Sequence, residues 1–319
     1  MKKYFVYIAS AVLMMAACAK EEVNTPVVET ELITVELNAA TKTVLDGTNT
    51  NWSAGDAVSV NFGGTSIGTL KLVEGNTFSG EITKGKSGAA TLTYPAGVTA
   101  VPTTQKAVAG SFANGAALLE GETTIEDLRA GNDTELQNKT ALLEFSVAKA
   151  GDVTFEVGST KYTVTGCKTG KTYYACVAPA TAKLTARIDG YLSKNTTNNK
   201  TFTASKIAKL GQLPAPVKGT WGIRGDFVNG SWSTDTPMYK DINGSQVLKN
   251  VDFGTGKSFK FYNATNGWSG YVEGNNSDNG WKWISGNGGE NISASGKVDI
   301  YVNDGGWAFK VVPTGTNPF

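Results

Sequence analysis

The chain has 319 residues, and its 29 Lys and Arg nearly balance 28 Asp and Glu for a formal net charge of +1. No basic surface suited to nucleic acid follows from that balance. The complete absence of histidine excludes His-based acid–base catalysis, Ser-His-Asp and Cys-His nucleophiles, and nearly every ordinary transition-metal site.

Carboxylate chemistry stays open. The 38 glycines against 9 prolines suit many short strands joined by tight turns, and the length leaves room for two or three modest domains.

The chain opens MKKYFVYIASAVLMMAACAKEEV. Lys2 and Lys3 form a short basic region, Tyr4 to Ala17 is mostly apolar but short for a membrane span, and Ala16 and Ala17 precede Cys18. The order resembles a bacterial lipoprotein signal. It implies a signal peptide over 1–17, cleavage before Cys18, and lipid on its thiol and new amine. A plain secretory signal with an incidental cysteine is the alternative. Lys20, Glu21 and Glu22 resemble the surface-export signal of Bacteroidetes lipoproteins, or are simply a charged tether. Acyl chains contribute about 0.8 kcal/mol per buried CH₂. The expectation is therefore a protein held by Cys18 in the outer membrane of a Gram-negative bacterium, exposed at the cell surface, with residues 18–32 as tether.

From Ile33 onward ITVELNA, AVSVNF, TFSGEI, ATLTYP, VTFEVG, KYTVTG and KLTARI alternate apolar and polar residues between Gly, Asn, Asp and Ser clusters. This pattern predicts all-β architecture built of tandem antiparallel β-sandwiches. The one helix-like stretch runs from about GAALLEG to TTIEDLRA. RAGNDTELQNKT interrupts the strand pattern and suggests a boundary between domains at 33–135 and 136–213. Pro214 and Pro216 make 214–218 an extended connector. Six of the seven tryptophans follow it, in a domain at 219–319. Cys167 and Cys176 flank a Lys-Thr-Gly-Lys turn. Across a hairpin in an oxidising compartment they would close a structural disulfide; free thiols are the alternative.

Two resemblances follow. TKTVLDG, NWSAGDAVSV, FSGEI, TLTYPAG, Gln105 after Pro102, NKTALLEFSV, TYYACVAPA and KIAKLGQL occur in that order. The series resembles the fimbrillin-like lipoproteins of Bacteroidetes, which implies two consecutive transthyretin-like β-sandwiches over about 33–213. WGIRGDFVNGSWSTDTPMY, SFKFYNATNGWSGYVEG and GGENISASGKVDIYVNDGGWAFKVV resemble the starch-binding modules of SusE/SusF-type lipoproteins, which implies a glycan-binding β-sandwich over about 219–319. That family often places Arg where Tyr262 stands, and the NNSDNGWKW segment is unusual for it.

A sugar offers flat C–H faces and a rim of hydroxyls, which exposed aromatic rings and a few directed polar groups match. Alternation puts Phe259 and Phe261 on one face of SFKFY, toward the core, and Lys260 and Tyr262 on the other. It also puts Trp221 with Ile223, and Trp307 with Phe309 and Val311, in the core. Trp232, Trp268, Tyr271, Trp281 and Trp283 remain for a ligand, though Trp268 serves architecture equally well. Trp281 and Trp283 flank Lys282, so in a strand they share a face about 6–7 Å apart. Asn263, Asp278, Asn279 and Lys282 stand near enough in sequence to support hydrogen bonds.

Arg224-Gly225-Asp226 matches an integrin tripeptide but also belongs to the module's own pattern. NNSDNG lacks the spacing and closing Glu of a calcium loop, so no metal and no cofactor are expected. Asp226, Asp235, Glu273 and Asp278 show no pairing that hydrolysis would need. The expectation is a non-catalytic protein that captures polysaccharide or oligosaccharide beside an outer-membrane glycan transporter. The alternative is a fimbrial accessory or tip adhesin.

Overall fold

A computed structural model describes residues 28–39, 52–113, 115–263, 265, 267–276, 280–284, 289–303 and 305–316. Cys18, the signal sequence and the TKTVLDG motif lie outside the described residues.

The chain begins with β1 (Thr30–Ala39), β2 (Ala57–Phe62), β3 (Thr65–Glu74), β4 (Thr77–Thr83), β5 (Ala89–Tyr94), β6 (Thr104–Lys106), β7 (Leu119–Thr124), α1 (Ile125–Ala130) and β8 (Thr134–Asn138). It continues with β9 (Ala141–Val147), β10 (Gly151–Val157), β11 (Thr160–Cys167), β12 (Thr172–Val177), β13 (Ala180–Ala182), β14 (Leu184–Ile188), β15 (Tyr191–Asn195), β16 (Lys200–Phe202) and β17 (Ile207–Leu213). Last come β18 (Lys218–Gly225), β19 (Thr236–Lys240), β20 (Gln246–Asp252), β21 (Lys257–Asn263), β22 (Gly267–Ser269), β23 (Tyr271–Asn276), β24 (Lys282–Ile284), β25 (Ile292–Ala294), β26 (Lys297–Val302) and β27 (Ala308–Pro313). The protein is all-β, and each of the seven alternating stretches falls on a strand. The helix is confined to Ile125–Ala130: Thr124 Oγ1 accepts from Asp127 N at 3.1 Å, and Gly131 ends it at φ 72°.

The pairing is not antiparallel throughout. The first strands close into a barrel, β1-β4-β3-β2-β5-β7-β8. The start of β1 runs antiparallel to β4 and its end runs parallel to β8. β6 leaves the barrel and pairs in parallel with β11, and β17 returns in parallel beside β9. Alternation reports which face of a strand is apolar, not which distant strand lies alongside, so these pairings were not readable locally.

After the barrel, the sheet β15-β14-β10-β11-β6 and the sheet β12-β9-β17 pack through Phe155 and Phe145, edge to face at 4.9 Å. One apolar cluster runs from Ile33 to Leu213, through barrel and sheets alike. Trp52 packs against it, edge-on to Phe78 at 4.9 Å and Tyr94 at 5.1 Å, and donates its indole N–H to Leu37 O. Asp56 accepts from Ser53 N and from the Tyr94 hydroxyl, securing the turn into β2. Gln105 is buried and acts as a piece of backbone: Oε1 accepts from Cys176 N at 2.9 Å, while Nε2 donates to the carbonyls of Cys176 and Pro102. It ties β6 of one sheet to β12 of the other.

The expected disulfide does not form. Cys167 and Cys176 are both free and buried. Their turn is not a hairpin, because β11 and β12 belong to different sheets. Cys167 sits opposite Gly151 and Cys176 opposite Leu142. Burial pushes both thiols up to about 12.

The last ten strands form one continuous pairing path, β22-β21-β18-β19-β20-β26-β27-β24-β23, with β25 beside β21. It folds around a second core of Trp221, Ile223, Phe259, Phe261, Ile300 and Phe309, among others. Beyond the proline connector this part rests on β14 and β15. Arg187 Nη1 bonds Asp241 Oδ1 at 2.8 Å, with side chains 14% and 3% exposed. The Tyr191 ring lies 4.5 Å from that of Tyr239, and its hydroxyl accepts from Lys249 N.

Two outcomes are expected. In denaturant without reductant, a thiol reagent will label both Cys167 and Cys176, whereas native protein at pH 8 will leave them unlabelled, since neutral buried thiols react poorly. A disulfide would keep both silent in denaturant. Arg187→Met will strand the Asp241 carboxylate and lower unfolding free energy by about 3–5 kcal/mol, read by urea titration. An unchanged midpoint would show that the pair does not hold the junction.

Candidate functional site

The outer face of β18, β21 and β22 brings together partly exposed rings and charges. Its construction begins with alternation. On β21, Phe259 and Phe261 are fully buried, which turns Lys260 and Tyr262 outward. On β18, Trp221, Ile223 and Gly225 are buried and Arg224 faces the same way as Lys260, its partner in register. β22 then places Trp268 opposite Tyr262. Residues directly opposed on neighbouring strands share a face, so Arg224, Lys260, Tyr262 and Trp268 form one patch.

The contacts inside the patch are specific. The Arg224 guanidinium carbon lies 3.7 Å from the Tyr262 ring centroid and 5.0 Å from that of Trp268. Tyr262 and Trp268 meet edge to face at 5.7 Å. Trp232, 39% exposed, reaches over from the β18–β19 connection to lie 6.2 Å from Trp268. Asp235 on the same connection binds Arg224 Nε at 2.5 Å, a contact that keeps the guanidinium firmly protonated. Such a cation over a ring contributes about 0.5–1 kcal/mol at an exposed site, enough to orient the side chain. Three rings and a fixed guanidinium are what a sugar ring with its hydroxyl rim can engage.

Arg224 was not among the residues that sequence reasoning singled out for binding. Its local context was the Arg-Gly-Asp tripeptide, and only pairing with β21 brings it against Tyr262. A guanidinium thus reaches the Tyr262 ring from the neighbouring strand. Gly225 and Asp226 are structural. A Cβ on Gly225 would stand 2.3 Å from Ser258 O and 2.8 Å from Phe259 Cα. Asp226 Oδ1 accepts from Ser258 N at 2.7 Å, and that bond holds its carboxyl below the usual carboxylate range.

The other sequence candidates separate. Asn263 is buried, and its Oδ1 accepts from Thr265 N at 2.8 Å, so it shapes the turn into β22 and does not face a ligand. Tyr271 lies on β23, but its side chain, like Asp278 and Asn279, lies outside the described residues. Trp281 and Trp283 do not form the expected joint platform. Trp281 is half-buried against Val247, Tyr301 and Val312, while Trp283 stacks on Trp307 at 4.2 Å. Lys282 between them is exposed.

Trp307 itself is a correction. It is exposed, although Phe309 and Val311 face the core as expected. Gly305 and Gly306, at φ 90° and 73°, turn the chain, and β27 starts only at Ala308, so the alternation does not extend back to Trp307.

No family profile and no curated protein sequence matches the chain. Among solved structures it is similar to a fimbrial assembly protein from Parabacteroides distasonis, at 12% identity and TM-score 0.30 over 75% of this chain and 97% of that one. It is also similar to a fimbrial protein from Bacteroides ovatus, at 12% identity and TM-score 0.31 over 59% of this chain and 52% of that one. SusF from Bacteroides thetaiotaomicron is similar at 15% identity and TM-score 0.24 over 54% of this chain and 51% of that one. The chain thus spans about half the length of the latter two.

Gly225→Ala is expected to force β18 and β21 apart and cost about 1–3 kcal/mol, measured by urea unfolding. Unaltered stability would mean that the close approach is not required.

Proposed function

We propose that this chain is a surface-anchored, non-catalytic glycan-binding lipoprotein, and that the patch of Arg224, Trp232, Lys260, Tyr262 and Trp268 is its glycan site. The single observation that carries the reading is the contact set Trp232–Trp268–Tyr262–Arg224, with ring separations of 6.2 and 5.7 Å and the guanidinium 3.7 Å over Tyr262. Rigid aromatic contact area at low conformational cost, with few directed polar groups, is the recurrent solution for polar, flat-faced ligands.

Both nearby described carboxylates are engaged, Asp226 with Ser258 N and Asp235 with Arg224, which supports binding without hydrolysis. The N-terminal sequence through Glu22 supports anchoring of Cys18 in the outer membrane. In that arrangement residues 33–213 act as a spacer and the last hundred or so hold polysaccharide near an uptake complex.

The test is affinity electrophoresis of the unmutated protein through native gels containing soluble starch, xylan, laminarin, mannan or mucin glycans. At least one will retard it. Trp232→Ala and Trp268→Ala will weaken that interaction by about thirty-fold, the loss of a hot-spot contact near 2 kcal/mol, with folding unchanged by circular dichroism. If no glycan retards the unmutated protein, the reading fails. Polymers seen by electron microscopy would favour a fimbrial accessory role.

A further inference from the structure

A second aromatic group, with both rings exposed, sits on β24 and just before β27 of the same module. Trp283 and Trp307 stack with centroids 4.2 Å apart and planes 27° from parallel, and they remain 37% and 46% exposed. Trp283 on β24 lies opposite Ala308 on β27. The next residue, Phe309, points inward and meets Phe261 at 5.2 Å across the core. Ile284, the neighbour of Trp283, also packs on that core, and Ala308 is itself buried, so Trp283 points away from the core at the edge of this layer. The two aromatic groups have no residue in common.

The pair is held in place by its backbone. The Trp307 carbonyl accepts from Ile284 N at 2.9 Å, which joins it to β24. Asn303 Oδ1 accepts from both Trp307 N at 3.1 Å and Ala308 N at 2.9 Å. The turn that presents it needs glycine: a Cβ on Gly306, at φ 73°, would meet Trp221 Nε1 at 2.5 Å. Stacking covers one face of each indole and leaves apolar ring surface to water, a costly use of the largest side chain unless something covers it. The loops that flank the two tryptophans, Ser-Gly-Asn-Gly-Gly at 285–289 and Asn-Asp-Gly-Gly at 303–306, are polar and glycine-rich in sequence.

We propose that Trp283 and Trp307 form a second glycan platform, independent of the first, whose ligand is a pyranose ring, so that one module holds two glycan segments at once. This rests on the reading that the module binds glycan. Two separate sites on one module can engage two segments of a branched or bundled polysaccharide, where linkage raises avidity.

The experiment uses the full chain and a short oligosaccharide of whichever panel polysaccharide retards it, by isothermal titration calorimetry. About two oligosaccharides should bind per chain. The pair Trp283→Ala and Trp307→Ala should reduce this to about one, as should Trp232→Ala with Trp268→Ala, each leaving the other site intact. A stoichiometry of about one, lost with Trp232 and Trp268 and indifferent to Trp283 and Trp307, would overturn the second platform while the first site stands. No binding of any panel glycan would remove both. A second arm needs no variant: oxidation of the unmutated protein by N-bromosuccinimide, followed by mass spectrometry. Bound oligosaccharide should slow oxidation of Trp283 and Trp307 several-fold, and unchanged rates at both would refute the proposal.

Discussion

The candidate site depends on how closely β18 and β21 approach at Gly225. The Ser258 carbonyl and the Phe259 backbone occupy the space where any Cβ would stand. This proximity keeps the strands in the register that opposes Arg224 to Lys260 and Ile223 to Phe261. Phe259 and Phe261, pulled inward by the core, leave Tyr262 facing out beneath the Arg224 guanidinium. A shift of one residue would turn the phenylalanines to water and the tyrosine into the core. Hydrophobic burial on one face of β21 thus determines the chemistry on its other face.

The same logic extends to the presentation of the site. The barrel and the two following sheets share one apolar cluster from Ile33 to Leu213, with Gln105 bonded as if it were backbone between the sheets. The proline connector is reinforced by a nearly buried Arg187–Asp241 pair and by Tyr191 against Tyr239. A buried ion pair of this kind contributes little net stability, but it is costly to break from one side. It therefore suits a joint that must keep one arrangement.

Much of the architecture was legible because alternation directly reports which side of a strand is dry. Trp221, Ile223, Phe259, Phe261 and Phe309 all lie where that rule puts them. The failures have physical causes. Trp307 precedes β27 across a two-glycine turn, so the period does not apply to it. Cys167 and Cys176 flank a turn that looks like a hairpin, yet their strands enter different sheets, and the turn residues are the same in either case. Arg224 escaped notice because its partners, Tyr262 and Trp268, lie 38 and 44 residues further along.

The sequence by itself determined the all-β class, the inward and outward faces of the main strands, and the gathering of aromatic residues after the prolines. Each is a local property, carried by residues one or two positions apart. Tertiary structure alone decided which strands became neighbours: β1 beside β8, β11 beside β6, β9 beside β17, and β21 between β18 and β22. Those pairings depend on chain closure over tens of residues, where packing of the whole core outweighs any local preference. They assembled Arg224, Tyr262, Trp268 and Trp232 into one patch and set Trp283 against Trp307.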